Sequence, residues 1–259
     1  MQDIIDKLRV PKVLLRYIMM NFTNIDTIQN LILNVKSMNV LDMHSKNILE
    51  KAQKGFNYNC VHGHLDVVEW LYSIGQVDIH AINEHAFRAS CQKGHLAVVQ
   101  WLYSLGRVDI HAKNEHAFRY SCEYGHFAVV QWLYSLGQVD IHAKNEYAFR
   151  YSCEYGHFVA AKWLYSLGQV DIHVNNEYAF RLSCANGHQT VAKWLYSLGQ
   201  VDIHADNEYA FRCSCQYGHL DIAKWLYSLG QVDIHACNEY AFTHSPKSVN
   251  NWLNIIKKN

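Results

Sequence analysis

Apolar residues recur along most of the chain at helical spacing, in short blocks that end at glycine. Within residues 145–175, Ala148, Phe149 and Cys153 are spaced as one face of a short helix. Gly156 follows that face and can adopt the left-handed conformation that ends a helix. The pattern therefore predicts a helix and a tight turn.

A second apolar block follows that turn directly. It begins near His157, carries Leu164 on its apolar face and ends at Gly168. Val170 and Ile172 then alternate with polar residues, which is typical of an extended or hairpin-like connection. Residues 145–175 are thus predicted to form two helices and an exposed loop.

The same pattern returns every 31 residues, as a tryptophan column shows: Trp70, Trp101, Trp132, Trp163, Trp194 and Trp225. This periodicity divides the chain into repeats at 52–82, 83–113, 114–144, 145–175, 176–206 and 207–237. Isolated helices shorter than about 12 residues are marginally stable in water. Stacking of neighbouring repeats must therefore supply the stability.

The repeated second helix resembles a known family. The segments GHLDVVEWLYSIG at 63–75 and GHLAVVQWLYSLG at 94–106 resemble the Gly-His core of ankyrin repeats, and the VDIHA that follows resembles the loop of that family. The resemblance implies an all-α fold: an α-solenoid of stacked helix-turn-helix repeats with short extended or hairpin-like loops. It also implies a non-catalytic scaffold for protein–protein interaction, with partner contacts along a concave groove.

Two departures from the usual ankyrin pattern distinguish this chain. The period is 31 residues rather than about 33, and the first helix opens with HAFR or YAFR rather than Thr-Pro-Leu-His. With the Trp-Leu-Tyr-Ser-Leu-Gly second helix, this variant resembles the divergent ankyrin repeats of giant viruses of amoebae. That resemblance implies a viral protein that acts on host or viral proteins.

Both ends of the array are predicted to be capping segments. LDMHSKN at 41–47 resembles VDIHAKN at 108–114, so residues 1–51 are interpreted as a degenerate helical N-terminal cap. Residues 238–259 lack the Gly-His segment and are more polar, which is typical of a truncated C-terminal capping repeat.

Composition excludes several classes of partner. Lys plus Arg and Asp plus Glu both number 23, so no net basic charge is available to hold nucleic acid or an acidic membrane. The N-terminus lacks a signal-peptide core, and no run of 18 apolar residues predicts a membrane span. We therefore expect a monomer in the cytoplasm or nucleus, including that of an infected host cell, whose partner is a protein.

The cysteines are interpreted as buried, reduced thiols. Six of the eight occupy one equivalent position in successive repeats: Cys60, Cys91, Cys122, Cys153, Cys184 and Cys215. Helices in successive repeats lie about 8–10 Å apart, beyond the Cα separation of about 7 Å that a disulfide tolerates. Reduced thiols indicate an intracellular, reducing compartment.

Each repeat also places a histidine four residues after its cysteine, as in CEYGH at 153–157. One Cys and one His per repeat cannot supply the four ligands of a structural zinc site. Each thiol also lies near a helix C-terminus, where the partial negative charge opposes thiolate formation. The sequence therefore predicts no catalytic residue, no metal site and no cofactor.

Three further columns are interpreted as structural. The tryptophans lie among Val, Ala and Leu at helical spacing, so they are predicted to be core residues. The histidine after each glycine is predicted to bond backbone groups at the turn. The second histidine column, in VDIH, is predicted to form hydrogen bonds within the loop.

The columns that differ between near-identical repeats are the candidate partner site. Because the shared fold does not dictate them, and because the family resemblance assigns both places to the groove, we expect them to contact a partner. They lie at the end of the first helix and in the loop: Gln92, Lys93, Lys113, Glu123, Tyr124, Lys144, Glu154, Tyr155, Asn175, Asn186, Asp206, Gln216 and Tyr217.

An alternative function rests on the N-terminal segment. VPKVLLRYIMMNF at 10–22 distantly resembles the opening of an F-box. In this alternative, residues 1–51 recruit a ubiquitin ligase and the repeats bind its substrate. An apolar helix that begins at Pro11 is equally typical of a cap, so the two interpretations of 1–51 remain open.

Overall fold

The computed structural model describes residues 46–73 and 77–258, with side chains from residue 53 onward. These residues form fourteen helices and no strand. In chain order the helices are α1 Lys46–His62, α2 Leu65–Ser73, α3 Ala81–Gln92, α4 Leu96–Ser104, α5 Ala112–Glu123, α6 Phe127–Ser135, α7 Ala143–Glu154, α8 Phe158–Ser166, α9 Val174–Ala185, α10 Gln189–Ser197, α11 Ala205–Gln216, α12 Leu220–Ser228, α13 Ala236–His244 and α14 Lys247–Ile256. The predicted all-α fold class is confirmed. Of the cap predicted for residues 1–51, residues 1–45 lie outside the described residues.

The helices alternate between two positions, which we call inner for odd-numbered helices and outer for even-numbered ones. One compact unit ends at Lys113 and a second begins at Asn114. In the second unit, α7 packs on α9, α9 on α11 and α11 on α13, while α7, α9 and α11 each pack on the outer helix that follows. In the first unit, α1 packs on α2 and on α3, and α3 also packs on α4. Nearest-neighbour packing of this kind is the defining feature of a solenoid.

The core repeats one set of side chains. Phe149 and Cys153 of α7 and Ala161 and Leu164 of α8 are at most 1% exposed, and the equivalent residues of the neighbouring repeats are buried in the same way. These are the apolar faces that the sequence pattern predicts. Each fully buried Phe or Leu side chain contributes about 1.5–3 kcal/mol relative to its exposed state.

The prediction that the tryptophans are core residues is wrong, because all of them are half-buried. Several of them lie at the edge between two outer helices, where a tyrosine of the preceding repeat contacts the ring edge to face: Trp101, Trp163, Trp194 and Trp225. Tyr134 lies 5.1 Å from Trp163, and Tyr165 lies 5.7 Å from Trp194, between ring centroids. Helical spacing alone cannot distinguish such a boundary position from the core.

Each inner helix from α3 onward opens with a turn that the sequence did not predict. In α7, Lys144, Asn145 and Glu146 all have left-handed backbone angles, with φ of 59°, 56° and 56°. The left-handed region costs a non-glycine residue about 1–2 kcal/mol. The Arg150 side chain offsets part of this cost, because it donates hydrogen bonds of 2.6 Å to the Asn145 carbonyl and 3.1 Å to the Lys144 carbonyl. Arg88, Arg181 and Arg212 do the same in their repeats.

The loop before this turn is held by polar side chains. Asp171 accepts a hydrogen bond of 2.9 Å from the His173 backbone N–H. The His173 Nδ1 lies 2.7 Å from the Glu177 Oε1. The second histidine column therefore bonds within the loop, as the sequence predicted, and its partner is the glutamate four residues later.

The first histidine column joins successive repeats. His157 Nε2 lies 2.9 Å from the Glu123 carbonyl of the preceding repeat, and His95 Nε2 lies 2.8 Å from that of Val61. The His157 ring lies against Gly125, where an added Cβ would approach the ring atoms to 2.5 Å. The glycine is thus needed for two reasons: its φ of +75° and the close approach of the next repeat.

Candidate functional site

The candidate site begins with tyrosines at the C-terminal ends of inner helices in the second unit. Tyr124, Tyr155 and Tyr217 directly follow α5, α7 and α11 and are 46%, 47% and 59% exposed. Each precedes a left-handed glycine at the turn. Because the turn fixes the backbone and the fold does not bury these rings, about half of each tyrosine is exposed at the surface.

The acidic residues beside these tyrosines are less exposed and bond to the next repeat. Glu123 is buried, and its Oε2 accepts a hydrogen bond from the Tyr147 hydroxyl. Glu154 is half-buried, and its Oε2 accepts one of 2.6 Å from the Tyr178 hydroxyl. These two candidate site residues therefore also connect neighbouring inner helices.

A ladder of aromatic rings extends the site along α5 and α7. On α7, Tyr147 stacks on Tyr151 at 4.1 Å between ring centroids, and Tyr151 lies 6.3 Å from Tyr155. Tyr120 of α5 lies 5.7 Å from Tyr147 and joins the two helices. Sequence reasoning missed Tyr147 and Tyr151, although their spacing of four residues from each other and from Tyr155 places all three on one helix face.

Arginine side chains cover the end of this ladder that is nearest the left-handed turns. The guanidinium carbon lies 4.6 Å from the Tyr147 ring centroid for Arg119 and 4.7 Å from the Tyr178 centroid for Arg150. A cation within about 6 Å of a ring centroid is attracted by the negative ring face. The rings of this surface thus already bind guanidinium groups within the chain.

The loop residues of the candidate set lie at the other end of the inner helices. Lys144, Asn175 and Asp206 are exposed, and each is the first left-handed residue of its turn. The Asp206 carboxylate pairs with Arg181 at 2.7 Å. Since a helix rises about 1.5 Å per residue, the eight residues after Glu146 separate the two groups by roughly 12 Å. The structure therefore divides the predicted site into two bands: a helix-end band and a turn band.

The remaining predicted residues occupy equivalent positions in their own repeats. Asn186 is exposed, and its side-chain amide donates a hydrogen bond of 3.0 Å to the Glu154 carbonyl. Gln216 is half-buried, and its Oε1 accepts one of 3.0 Å from the Tyr240 hydroxyl. In the first unit, half-buried Gln92 and exposed Lys93 occupy the helix-end position, and exposed Lys113 occupies the turn position.

The cysteines beside this surface are unsuited to nucleophilic chemistry. All eight are free, and seven are buried; Cys237 is the exposed one. Burial raises the pKa of Cys60 and of Cys215 to about 12, so both thiols stay protonated near neutral pH. Within the described residues, no three His, Cys, Asp or Glu side chains are arranged to hold a metal ion.

A pocket of about 530 Å³ lies between two loops of the second unit. Its lining residues include His204, Glu208, Asp233 and Cys237. The His204 Nδ1 lies 2.7 Å from the Glu208 Oε1, so these two groups already bond to each other. Among the described helices, none is long and apolar enough to cross a membrane.

Comparison with known proteins supports this architecture. A protein-family model described as "Ankyrin repeats (3 copies)" matches residues 56–145, 87–176 and 149–238. The crystal structure of the human ASB11 ankyrin repeat domain is similar in fold, with a TM-score of 0.58 and 18% sequence identity over 77% of this chain and 96% of that one. No curated protein matches the sequence. Because the family matches together span well over half of the chain, this protein belongs to the ankyrin-repeat family.

Proposed function

We propose that this chain is a non-catalytic scaffold that binds a protein partner through the helix-end band of its inner helices. Ankyrin repeats generally mediate protein–protein interaction. The observation that supports this band is the equivalent placement of Tyr124, Tyr155 and Tyr217, each with half or nearly half of its surface exposed. Tyrosine is favoured at interfaces because it buries a large area with few rotatable bonds and keeps a polar tip.

The partner is a protein rather than a nucleic acid, because the chain has no net charge and the band carries carboxylates that repel phosphates. The buried free thiols support a reducing compartment, and we propose that the scaffold acts there as a monomer. The repeated Trp-Leu-Tyr-Ser-Leu-Gly segment supports an origin in a giant virus of amoebae. The partner should therefore be sought among proteins of the infected cell as well as viral ones.

The experiment compares capture of partners by three forms of the full chain. The wild type, a variant with Tyr124, Tyr155 and Tyr217 changed to Ala, and a control are used to isolate proteins from infected-cell lysate. If these rings are interface anchors, the tyrosine variant should bind a captured protein more weakly by about 2 kcal/mol or more, which corresponds to a roughly 30-fold loss of affinity.

The control changes Gln131, Lys162 and Lys224 to Ala, because these exposed residues of outer helices lie in the same repeats as the three tyrosines. Circular dichroism at equal concentration verifies that all three forms are folded. If the tyrosine variant binds every captured protein as tightly as wild type, the helix-end band is not the interface.

The adapter alternative, in which the F-box-like segment within 1–51 recruits a ubiquitin ligase, is tested by adding a fourth, shortened form to the experiment. A chain that lacks residues 1–51 should lose ligase components and retain the substrate under that alternative. Under the scaffold proposal, the deletion leaves the set of captured proteins unchanged.

A further inference from the structure

Cys237, the exposed one of the eight free cysteines, lines the pocket between two loops of the second unit. It is the first left-handed residue of the turn that opens α13, with a φ of 54°. The pocket volume of about 530 Å³ lies within the range of about 300–1,000 Å³ that is usual for small-molecule sites. What we call the Cys237 pocket is lined by His204, Asn207, Glu208, Asp233, Ala236 and Cys237.

Glu208 brings a buried carboxylate to this pocket. It is only 6% exposed, and its Oε1 accepts a hydrogen bond of 3.2 Å from the Asp233 backbone N–H and lies 2.7 Å from the His204 Nδ1. Its Oε2 is enclosed and has no hydrogen-bond partner among the described residues. Because a buried charge that is not fully compensated is costly, this carboxylate favours a cation in the pocket that it lines.

Asp233 adds a second carboxylate, and it is exposed. Its Oδ1 accepts a hydrogen bond of 2.9 Å from the His235 backbone N–H, and it takes part in none of the ion pairs of the part of the chain that the structure describes. The arginine of this repeat, Arg212, donates to the carbonyls of Asp206 and Asn207 and does not line the pocket. The pocket therefore combines an accessible thiol with two carboxylates.

Earlier repeats show that this turn accommodates an ammonium group at the position of Cys237. In the 31-residue pattern, residue 237 corresponds to Lys113 and Lys144. Lys144 is exposed and, like Cys237, is the first left-handed residue of its turn. A cysteine that is joined through a disulfide to an aminoethyl group carries its ammonium one bond further from the backbone than lysine does. Cys237 modified in this way thus resembles the lysine that the fold accepts there.

We propose that Cys237 is a modification site for a small aminothiol, which it takes up by exchange with a disulfide that carries ammonium groups. The Cys237 thiolate attacks one sulfur of that disulfide, so that a new S–S bond forms at Sγ and the old one breaks. The other sulfur leaves as a thiolate and takes up the proton that Cys237 released; Cys237 is oxidised and the leaving sulfur is reduced. Glu208 and Asp233 attract the ammonium group. The site lies in a turn, outside the helix-end band, and does not rest on the proposed function.

The experiment measures exchange of the reduced full-length chain with three disulfides: cationic cystamine, neutral 2-hydroxyethyl disulfide and anionic dithiodiglycolate. Intact-mass spectrometry follows the rates, and peptide mapping locates the adduct, which we expect at Cys237. The rate with cystamine divided by the rate with the neutral disulfide is called the cationic preference. This ratio does not depend on the fraction of Cys237 that is ionised, because that fraction is the same in both reactions.

Ser135→Cys in a Cys237→Ser chain supplies a reference thiol. Ser135 is exposed at the end of the outer helix α6, and no charged residue lies within four positions of it in the sequence. At low salt the cationic preference of Cys237 should exceed that of the reference thiol about 10-fold, because two carboxylates attract the ammonium group. Dithiodiglycolate should react with Cys237 more slowly than the neutral disulfide does. Both differences should shrink at about 500 mM salt, which screens exposed charges.

Glu208→Gln with Asp233→Asn removes both charges and keeps the shapes of the side chains. Its cationic preference should fall to within about two-fold of the reference thiol. Asp233→Asn alone changes only the exposed carboxylate, and it should lower the preference about three-fold even if the buried change prevents the double variant from folding. Asp221→Asn is the charge control, because Asp221 is exposed at the start of the outer helix α12. It should leave the preference of Cys237 unchanged.

A cationic preference of Cys237 equal to that of the reference thiol would overturn the proposal. A preference that persists without both carboxylates would overturn it too. If Asp221→Asn lowered the preference as much as Asp233→Asn, net charge rather than the pocket would select the disulfide, and the proposal would be wrong. The same holds if Cys237 gains no adduct, or if buried cysteines gain one first. Binding of a protein partner by the tyrosine variant tests the proposed function independently of these outcomes.

Discussion

Replacing Gly125 by Ala should test how successive repeats are joined. Gly125 has a φ of +75°, and an added Cβ would lie 2.5 Å from Cε1 and 2.6 Å from Nδ1 of His157. Real Cβ atoms do not approach other atoms so closely, so the imidazole must move. Its Nε2 would then lose the 2.9 Å contact with the Glu123 carbonyl.

The chain offers a matched control twelve residues further on. Gly137 has a φ of +86°, but an added Cβ there meets nothing within 4 Å. Gly137→Ala therefore measures the backbone penalty alone, about 1–2 kcal/mol. Gly125→Ala adds a lost hydrogen bond of about 0.5–1.5 kcal/mol and the displaced ring packing, so we expect a total of about 3 kcal/mol.

The assay is urea unfolding monitored by circular dichroism, on the two glycine variants, on His157→Ala and on the combination of Gly125→Ala with His157→Ala. Without the imidazole, Gly125→Ala should cost no more than Gly137→Ala, which gives a coupling free energy of about 1–2 kcal/mol. Equal losses for both glycine variants in the wild-type chain, or strict additivity with His157→Ala, would refute the reasoning.

Three further predictions test other parts of the structure. In the same urea assay, Phe149→Ala should lower the free energy of unfolding by about 3–5 kcal/mol. Trp163→Ala should lower it by only about 1–3 kcal/mol, because Trp163 is half-buried. The reverse order would contradict the boundary position of the tryptophan. Burial, and then the charges of neighbouring histidines, lower the pKa of His188 below its usual 6.5, so the folded state binds its proton less readily than the unfolded state. The free energy of unfolding should therefore have its full value above pH 6.5 and should fall as the pH decreases through this value. The fall should be less steep in His188→Gln. A thiol reagent should modify Cys237 rapidly and the seven buried cysteines only on unfolding; rapid modification of all eight in the folded protein would contradict their burial.

Repetition in the sequence determined the fold class and the inner and outer helices. Gly156 and Gly168 were identified as helix stops because only glycine adopts their φ of +74° and +94° without strain. The core positions Phe149 and Leu164 were identified because their spacing is helical and their residue types are apolar. These are local properties of the chain, so a single repeat displays them in full.

The candidate site was predicted only in part. Comparison of internal repeats identified Tyr124, Tyr155 and Tyr217, which the structure leaves exposed. It also identified Glu123 as a surface contact, but that residue is buried against Tyr147 of the next repeat. A column that varies between repeats can face either solvent or a neighbouring repeat, and the sequence of one repeat does not distinguish these environments.

The left-handed turns could be decided only by the tertiary structure. Lys144 and Glu146 carry no sequence signal for a positive φ. Asn145 adopts such an angle more readily than most residues, but only as a single residue, so a run of three is not indicated by the sequence. The turn persists because Arg150 bonds its carbonyls and because Glu146 is buried beside His142. The sequence by itself determined which residues form helices and which face the core, whereas contacts between residues brought together by folding decided the turns and the surface, because their free energy outweighs the local preference of the backbone.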